Sequence, residues 1–280
     1  MSTKLAGVIG YPVAHSLSPR LHGFWLREHG LDGAFVPLPA KREEFAQIIN
    51  SLRKLGFAGL SVTVPHKESA FAIAHDLDEP AKISGAVNLL VFKGERIEGR
   101  NTDALGLAAS LVEQLGTDVL KGRDAVLLGA GGAARACVLA LANLGAKKIG
   151  ILNRNVSRAE SLARSLEGKI SAQLQPSMLS DWGKVAPDAA LAINATSAGM
   201  SGAPALDISL DALPKTAAVC DIVYSPLETP LLKQARAKGL KTIDGLGMLM
   251  HQAVPAFEAF YGVTPKVTPA LRAELEKALA

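Results

Sequence analysis

A chain of 280 residues, 49% of them apolar, can build one large or two medium domains around a substantial core. No run of about 18 uncharged apolar residues occurs, and the N-terminal stretch passes straight into a strand pattern without a signal-peptide core, so neither a membrane span nor export is expected. The net charge is +4, but the 30 basic residues are scattered and aromatics make up only 5%, which argues against nucleic acid and for a small anionic substrate with a polyphosphate cofactor. Cys137 and Cys220 each sit inside an apolar element, as the reduced, buried thiols of a cytoplasmic protein do.

Val8-Ile9-Gly10 reads as a first strand, running into a loop that carries Ser16 and Ser18. Ser18-Pro19 has the form of a helix start, with serine at the cap and proline in the first turn, and Leu21, Phe24, Trp25 and His29 continue at helical spacing. The two serines either cap that helix or, as hydroxyls at its N-terminus, hold an anion such as a carboxylate. A second strand is expected over 34–38 and an amphipathic helix over 41–54, through Phe45, Ile48, Ile49 and Leu52.

Alternation from Leu60 to Val64 predicts a strand with Ser61 and Thr63 on one face, ended by Pro65. Lys67 then falls just past the strand's C-terminal end, where open α/β sheets bind ligands, although a lysine there is otherwise a solvated surface residue. Residues 84–92 predict another strand, opening at Asn88, and a hairpin leads to Asn101-Thr102-Asp103. That loop would cap the next helix, and capping is the plain role for Asp103.

Strand and helix patterns alternate afresh from Asp124. Val126-Leu127-Leu128 runs into Gly129-Ala130-Gly131-Gly132-Ala133-Ala134-Arg135, and a small-residue helix follows. The spacing Gly129-x-Gly131-x-x-Ala134 fits the dinucleotide fingerprint. Gly129 permits the tight turn, Gly131 lets the backbone approach a pyrophosphate, and Ala134 lets the helix pack closely on the strand. The helix N-terminus offers N–H groups and a partial positive charge to phosphates.

The next strand, Lys148 to Leu152, ends in Asn153-Arg154. An NAD site carries an acid about 20 residues past the glycines to hold the ribose 2′-hydroxyl. Here Asn153, Arg154 and Arg158 stand instead, and Ser157 with Glu160 has capping-box spacing beside Arg154. Two guanidiniums at a helix N-terminus suit a 2′-phosphate, so NADP is expected over NAD.

Further strands are expected at 190–194, 219–224 and 241–243, with a helix starting at Thr229-Pro230. Gly245 and Gly247 would allow close backbone approach to a ligand, and two helices close the chain. The six histidines show no metal-ligand spacing, so no metal is expected, and His15 and His66 are read as hydrogen-bonding loop residues.

Eight stretches spread almost from end to end resemble the shikimate dehydrogenase family. They are Gly10 to Pro19, Val62 to Lys67, Gly85 to Asn88, Asn101 to Asp103, Gly129 to Arg135, Asn153-Arg154, Asn194 to Ser197 and Gly245 to Met248. The resemblance implies an α/β protein of two domains with a cleft between them. Residues 1–102 and 245–280 would form a substrate domain with a mainly parallel sheet, and residues 103–244 a Rossmann-type NADP-binding domain. It implies reversible reduction of 3-dehydroshikimate to shikimate by NADPH, in a monomer or homodimer.

By the same resemblance Ser16 and Ser18 hold the substrate carboxylate. Ser61, Thr63, Asn88, Tyr224 and Gln252 contact the ring hydroxyls, and Lys67 and Asp103 form the catalytic pair. Thr196, Gly245 and Met248 join the glycine turn and the arginines around the cofactor. The family has asparagine where the shorter Ser61 stands, so that contact becomes weaker or water-mediated. It has threonine where Asn155 stands, a change that keeps a hydrogen-bond donor. A quinate/shikimate dehydrogenase that accepts NAD is a rival reading within the family. A non-catalytic dinucleotide-binding protein is a rival outside it, and would not need both Lys67 and Asp103.

Overall fold

A computed structural model describes residues 3–279. They divide into two compact units, one built from the residues up to Thr102 together with those from Gln252 on, the other from Asp103–His251.

The first unit is organised on β1 (Lys4–Gly10), buried over its last five residues as a strand covered on both faces must be. After α1 (Ser18–Glu28) comes β2 (Gly33–Pro39), and after α2 (Phe45–Lys54) comes β3 (Gly59–Val62); both strands pair with β1 in parallel. The chain continues through α3 (Lys67–Ile73), β4 (Asp76–Leu77), α4 (Glu79–Ser84), β5 (Leu89–Lys93) and β6 (Arg96–Arg100). The sheet order is β2-β1-β3-β5-β6-β4, with β5 antiparallel to both neighbours.

Three local expectations change here. Leu17, not Ser18, occupies the N-cap of α1, and no side chain caps that helix. The strand predicted to reach Val64 ends at Val62, because the His66 N–H turns back onto the Thr63 carbonyl at 3.0 Å. The strand predicted from residue 84 starts at Leu89 instead. Asp78 caps α4 by accepting the Ala81 N–H at 2.8 Å, which draws Ser84 into a helix that ends at Gly85 with φ +64°.

The second unit begins with α5 (Asp103–Leu115) and alternates strictly: β7 (Asp124–Leu128), α6 (Ala134–Asn143), β8 (Lys148–Asn153), α7 (Val156–Leu166), β9 (Gln173–Met178). A short α8 (Trp182–Val185) leads to β10 (Ala189–Asn194), β11 (Ala218–Asp221), α9 (Pro230–Ala237) and β12 (Lys241–Ile243). All neighbours are parallel in the order β12-β11-β10-β7-β8-β9. This is the Rossmann order, with its switch point between β7 and β10. The strand expected over 219–224 stops at Asp221, whose carboxylate accepts the Val223 N–H at 3.1 Å and bends the chain off the sheet. The capping box expected of Ser157 and Glu160 does not form: Asn155 is the cap, its side chain accepting the Ser157 N–H at 3.0 Å.

Helix α10 (Gly245–Tyr261) begins in the second unit and ends in the first. The chain returns to the first unit at Gln252 rather than at 245, because the first turns of α10 pack within the second unit. A side chain at Gly245 would strike the Ile222 backbone and one at Gly247 the Ser110 hydroxyl, while His251 pairs with Glu113 at 3.1 Å. Packing between elements of the unit is therefore enough to require glycine at both positions. Helix α11 (Pro269–Glu276) completes the first unit, capped by Thr268.

The C-terminal helices seal an aromatic cluster of His22, Trp25, Phe35, Phe257, Phe260 and Tyr261. Trp25 Nε1 donates to the Lys266 carbonyl and the Tyr261 hydroxyl to the Ala34 carbonyl, both at 3.0 Å. His22 lies fully buried, stacked on Phe35 with centroids 3.9 Å apart, and neither ring nitrogen has a partner. Burial alone pushes its pKa down from 6.5 to about 3. The folded state thus holds His22 neutral where the unfolded chain would protonate it, so stability falls as pH drops below about 6.5 towards 3. In urea titrations, His22→Leu should gain on the native chain by about 1.4 kcal/mol per pH unit between pH 6 and 4. A pH-independent difference between the two proteins would refute this.

Candidate active site

In the first unit the side chains expected to bind substrate are brought together by strand exits. The Thr63 N–H donates to the Ile9 carbonyl at 3.0 Å and the Tyr11 N–H to the Val64 carbonyl at 3.0 Å, which zips the ends of β1 and β3. The antiparallel run of β5 brings its start to the same end of β3, with Leu89 opposite Ser61. Lys67 is the first residue of α3, and its carbonyl accepts the Val87 N–H at 2.9 Å. The adjoining His66 is fully buried, stacked on Phe45 with Nε2 2.8 Å from the Ala40 carbonyl, which anchors the start of α3.

Asn88 is buried and fixed at both ends of its amide. Its Oδ1 accepts the Thr102 N–H at 2.8 Å, and its Nδ2 donates to Thr102 Oγ1 at 2.9 Å and to Gln252 Oε1 at 3.3 Å. Thr102 Oγ1 in turn donates to the Gln252 carbonyl at 2.9 Å. Asn101 braces the preceding turn through Ser84 Oγ and the Ala86 carbonyl, and its N–H reaches Asp78. Burial raises the Asp78 pKa, against the pull of the N–H groups it accepts. The hydroxyls of Ser61 and Thr63 make no side-chain hydrogen bond among the described residues, whereas Ser16 Oγ accepts the Ser18 N–H at 3.3 Å. Ser16 thus takes the first N–H of α1, while Ser18 itself caps nothing there, so the capping alternative for Ser18 lapses.

In the second unit the first βα turn meets the next strands. The Gly129 N–H donates to the Leu152 carbonyl and the Ala195 N–H to the Leu128 carbonyl, both at 2.8 Å. Gly129 has φ +109°, and an added Cβ would lie 2.7 Å from Thr196 Cγ2, so no other residue fits. Ala134 is fully buried against the sheet. Gly131 and Gly132 are different: an added Cβ there meets no protein atom within 4 Å. Both therefore leave open space at the N-terminus of α6, the kind of place where anions bind.

At the end of β8, Asn153 Nδ2 donates to the Asn155 carbonyl at 2.9 Å. Arg154 and Arg158 are exposed beside the start of α7 and form no ion pair among the described residues, which leaves two guanidiniums for a phosphate. Asp103 is buried as the first residue of α5. Tyr224 and Met248 also belong to this unit, and burial raises the Tyr224 pKa. The half-buried Thr196 and the buried Asn194, Asp221 and Thr229 form a chain of hydrogen bonds. Of these, Asn194, Asp221 and Thr229 carry no expected site role; a polar residue closing an otherwise apolar strand was the available signal.

The second unit has the architecture and open glycine cradle of a dinucleotide-binding domain, joined to an α/β unit lined with hydroxyl and amide groups. A family model described as "Shikimate dehydrogenase substrate binding domain" matches residues 8–90, and one described as "Shikimate / quinate 5-dehydrogenase" matches residues 110–201. The "Shikimate dehydrogenase (NADP(+))" of Acidiphilium cryptum (strain JF-5) is 50% identical over 269 residues, 96% of this chain and 94% of its own. The Thermus thermophilus shikimate 5-dehydrogenase in complex with NADP(H) and shikimate superimposes with a TM-score of 0.85 at 35% identity, over 99% of this chain and 98% of that one. The quinate dehydrogenase of Corynebacterium glutamicum in complex with NAD gives 0.87 at 30% identity, over 99% of each. The chain belongs to the shikimate dehydrogenase family.

The two kinds of glycine separate experimentally. Gly129→Ala should destabilise the protein by about 1–3 kcal/mol through backbone strain. Gly131→Ala should leave the melting temperature unchanged and weaken NADPH binding about tenfold, the scale of one lost charge-assisted contact. Equal melting losses from both variants would remove the cradle assignment.

Proposed function

We propose that this chain is an NADP-dependent shikimate dehydrogenase, reducing 3-dehydroshikimate reversibly to shikimate in the route to chorismate and the aromatic amino acids. The observation that carries the reading is 50% identity over 96% of the chain to an NADP(+) shikimate dehydrogenase. Two free arginines where an NAD site would have an acid support it.

When bound, NADPH supplies the hydride. Gly131 and Gly132 let the backbone reach its pyrophosphate, with Gly129, Ala130 and Ala133 shaping the turn. Arg154 and Arg158 take the 2′-phosphate, beside Asn153. Thr196, Gly245 and Met248 complete the cofactor contacts, Gly245 by its backbone. Ser16 and Ser18 hold the substrate carboxylate. Ser61, Thr63, Asn88, Tyr224 and Gln252 take the ring hydroxyls; the fixed Asn88 amide orients Gln252, so that specificity is set before substrate arrives.

Hydride delivery to a ketone builds negative charge on oxygen, and a proton must arrive there. Lys67 donates it from Nζ, and the ammonium stabilises the developing alkoxide. Asp103 holds Lys67 charged or shares its proton. The reading is of a cytoplasmic monomer or homodimer acting on small molecules; Cys137 and Cys220, both buried and outside any disulfide, fit a reducing compartment. Among the described residues no helix is long and apolar enough to cross a membrane.

Relaxed use of quinate or NAD is the second reading, favoured by the unengaged Ser61 hydroxyl and the likeness to a quinate dehydrogenase. Steady-state assays of shikimate and quinate, each with NADP and NAD, decide between them. Arg154→Ala should raise KM for NADP about 10- to 150-fold and hardly change that for NAD. Equal effects on both cofactors would contradict the 2′-phosphate role. Lys67→Ala should cut turnover about 10²- to 10⁴-fold with NADPH affinity kept. Asp103→Asn should also be slow, and the double variant little worse than the poorer single one. Strictly multiplicative losses would be incompatible with a single proton-transfer unit.

A further inference from the structure

Asn194 and Asp221 close two adjacent parallel strands, β10 and β11, and both are fully buried. The Asp221 carboxylate is held by three uncharged donors. Its Oδ1 accepts from Asn194 Nδ2 at 2.9 Å and from the Val223 N–H at 3.1 Å, and its Oδ2 accepts from Thr229 Oγ1 at 2.7 Å. A buried carboxylate held only by neutral groups is a poor device for stability, since an apolar residue of that size carries no desolvation cost. What it achieves is orientation. It fixes the Asn194 amide so that Oδ1 faces Thr196, accepting its N–H at 3.0 Å and its hydroxyl at 2.7 Å. Asn194 Nδ2 also donates to the Ala198 carbonyl at 3.1 Å, and the Ala198 N–H donates to Thr196 Oγ1 at 3.0 Å. The Thr196 methyl then stands where a side chain of Gly129 would be. A shift of Thr196 by a few tenths of an ångström therefore changes the wall of the glycine turn.

We infer that Asn194 and Asp221 are positioning residues for the cofactor: they set the Thr196 turn against Gly129 and thereby the affinity for NADPH. The inference rests on the reading that NADP lies on the glycine turn. Asn194→Leu keeps the branched shape and removes all four side-chain bonds. In the full-length chain, it should raise the NADPH dissociation constant about tenfold or more, as expected for a disrupted buried network, while KM for shikimate stays within about twofold. Asp221→Asn still offers Oδ1 to Asn194 and Val223 and an amide to Thr229 Oγ1, so it should bind NADPH within about threefold of wild type, whereas Asp221→Leu should follow Asn194→Leu. That rescue separates hydrogen-bond geometry from charge.

A folded Asn194→Leu protein with unchanged NADPH affinity would overturn the inference. So would a loss of activity that merely tracks the folded fraction, with both ligands bound normally by what remains folded. If Asn194→Leu does not fold, Thr196→Val keeps the methyl and removes only the hydroxyl link; about three- to fivefold weaker NADPH binding supports the assignment and none refutes it. A wild-type chain that binds shikimate but not NADPH would overturn the underlying reading, and this inference with it.

Discussion

The contact on which the second unit depends is the approach of three strand ends at one residue without a side chain. Parallel strands all leave a sheet by the same edge, so their exits compete for the same space. At Gly129 the competition is resolved by subtraction. Its N–H bonds the end of β8, the residue before it bonds the end of β10, and Thr196 fills the volume a Cβ would occupy. With the turn so fixed, α6 leaves the sheet with its N-terminus open at Gly131 and Gly132, and the conformational requirement at one glycine becomes the chemical provision at the next two.

The first unit solves a related problem with amide groups. Its mixed sheet brings the start of β5 to the ends of β1 and β3, where a row of small polar residues would wander if left to solvent. Asn88 and Thr102 satisfy each other and hold Gln252, while Asn101 and Asp78 brace the turn before them. The cost of burying these groups is met bond by bond. Ser61 and Thr63 stand outside the network, their hydroxyls unengaged by any side chain among the described residues. His22 is the contrary case, a polar ring among aromatics with neither nitrogen satisfied, tolerated because the neutral imidazole stacks on Phe35.

Much of this was legible in the chain because it is written locally. The strand-glycine-helix run at Gly129, the arginines after β8 and the serines after β1 each announce themselves within a dozen residues. The failures occur where distant partners decide. Asn155 outcompetes Ser157 as a cap because the chain leaves β8 extended at that residue, and Leu17 rather than Ser18 takes the cap of α1. Gly245 and Gly247 have a ligand-like pattern, and only the fold shows that Ile222 and Ser110 require them as well. Asp221 looked like the middle of a strand, and only the positions of Asn194 and Thr229 reveal that its side chain ends the strand. Spacing predicts a turn well, but it does not show which neighbour fills the space beside it.

The division of the first unit between the two ends of the chain bears on how the protein is made. Residues 103–251 emerge from the ribosome as one uninterrupted unit whose sheet has every strand it needs. The preceding segment must wait, because Phe257, Phe260 and Tyr261 complete its aromatic core and the Lys266 carbonyl receives the Trp25 indole. Until those last helices are synthesised, β1 to β3 lack the cover of one apolar surface. Domains fold as they are completed during synthesis. The dinucleotide-binding unit is thus complete on the nascent chain before the first unit, which waits for α10 and α11.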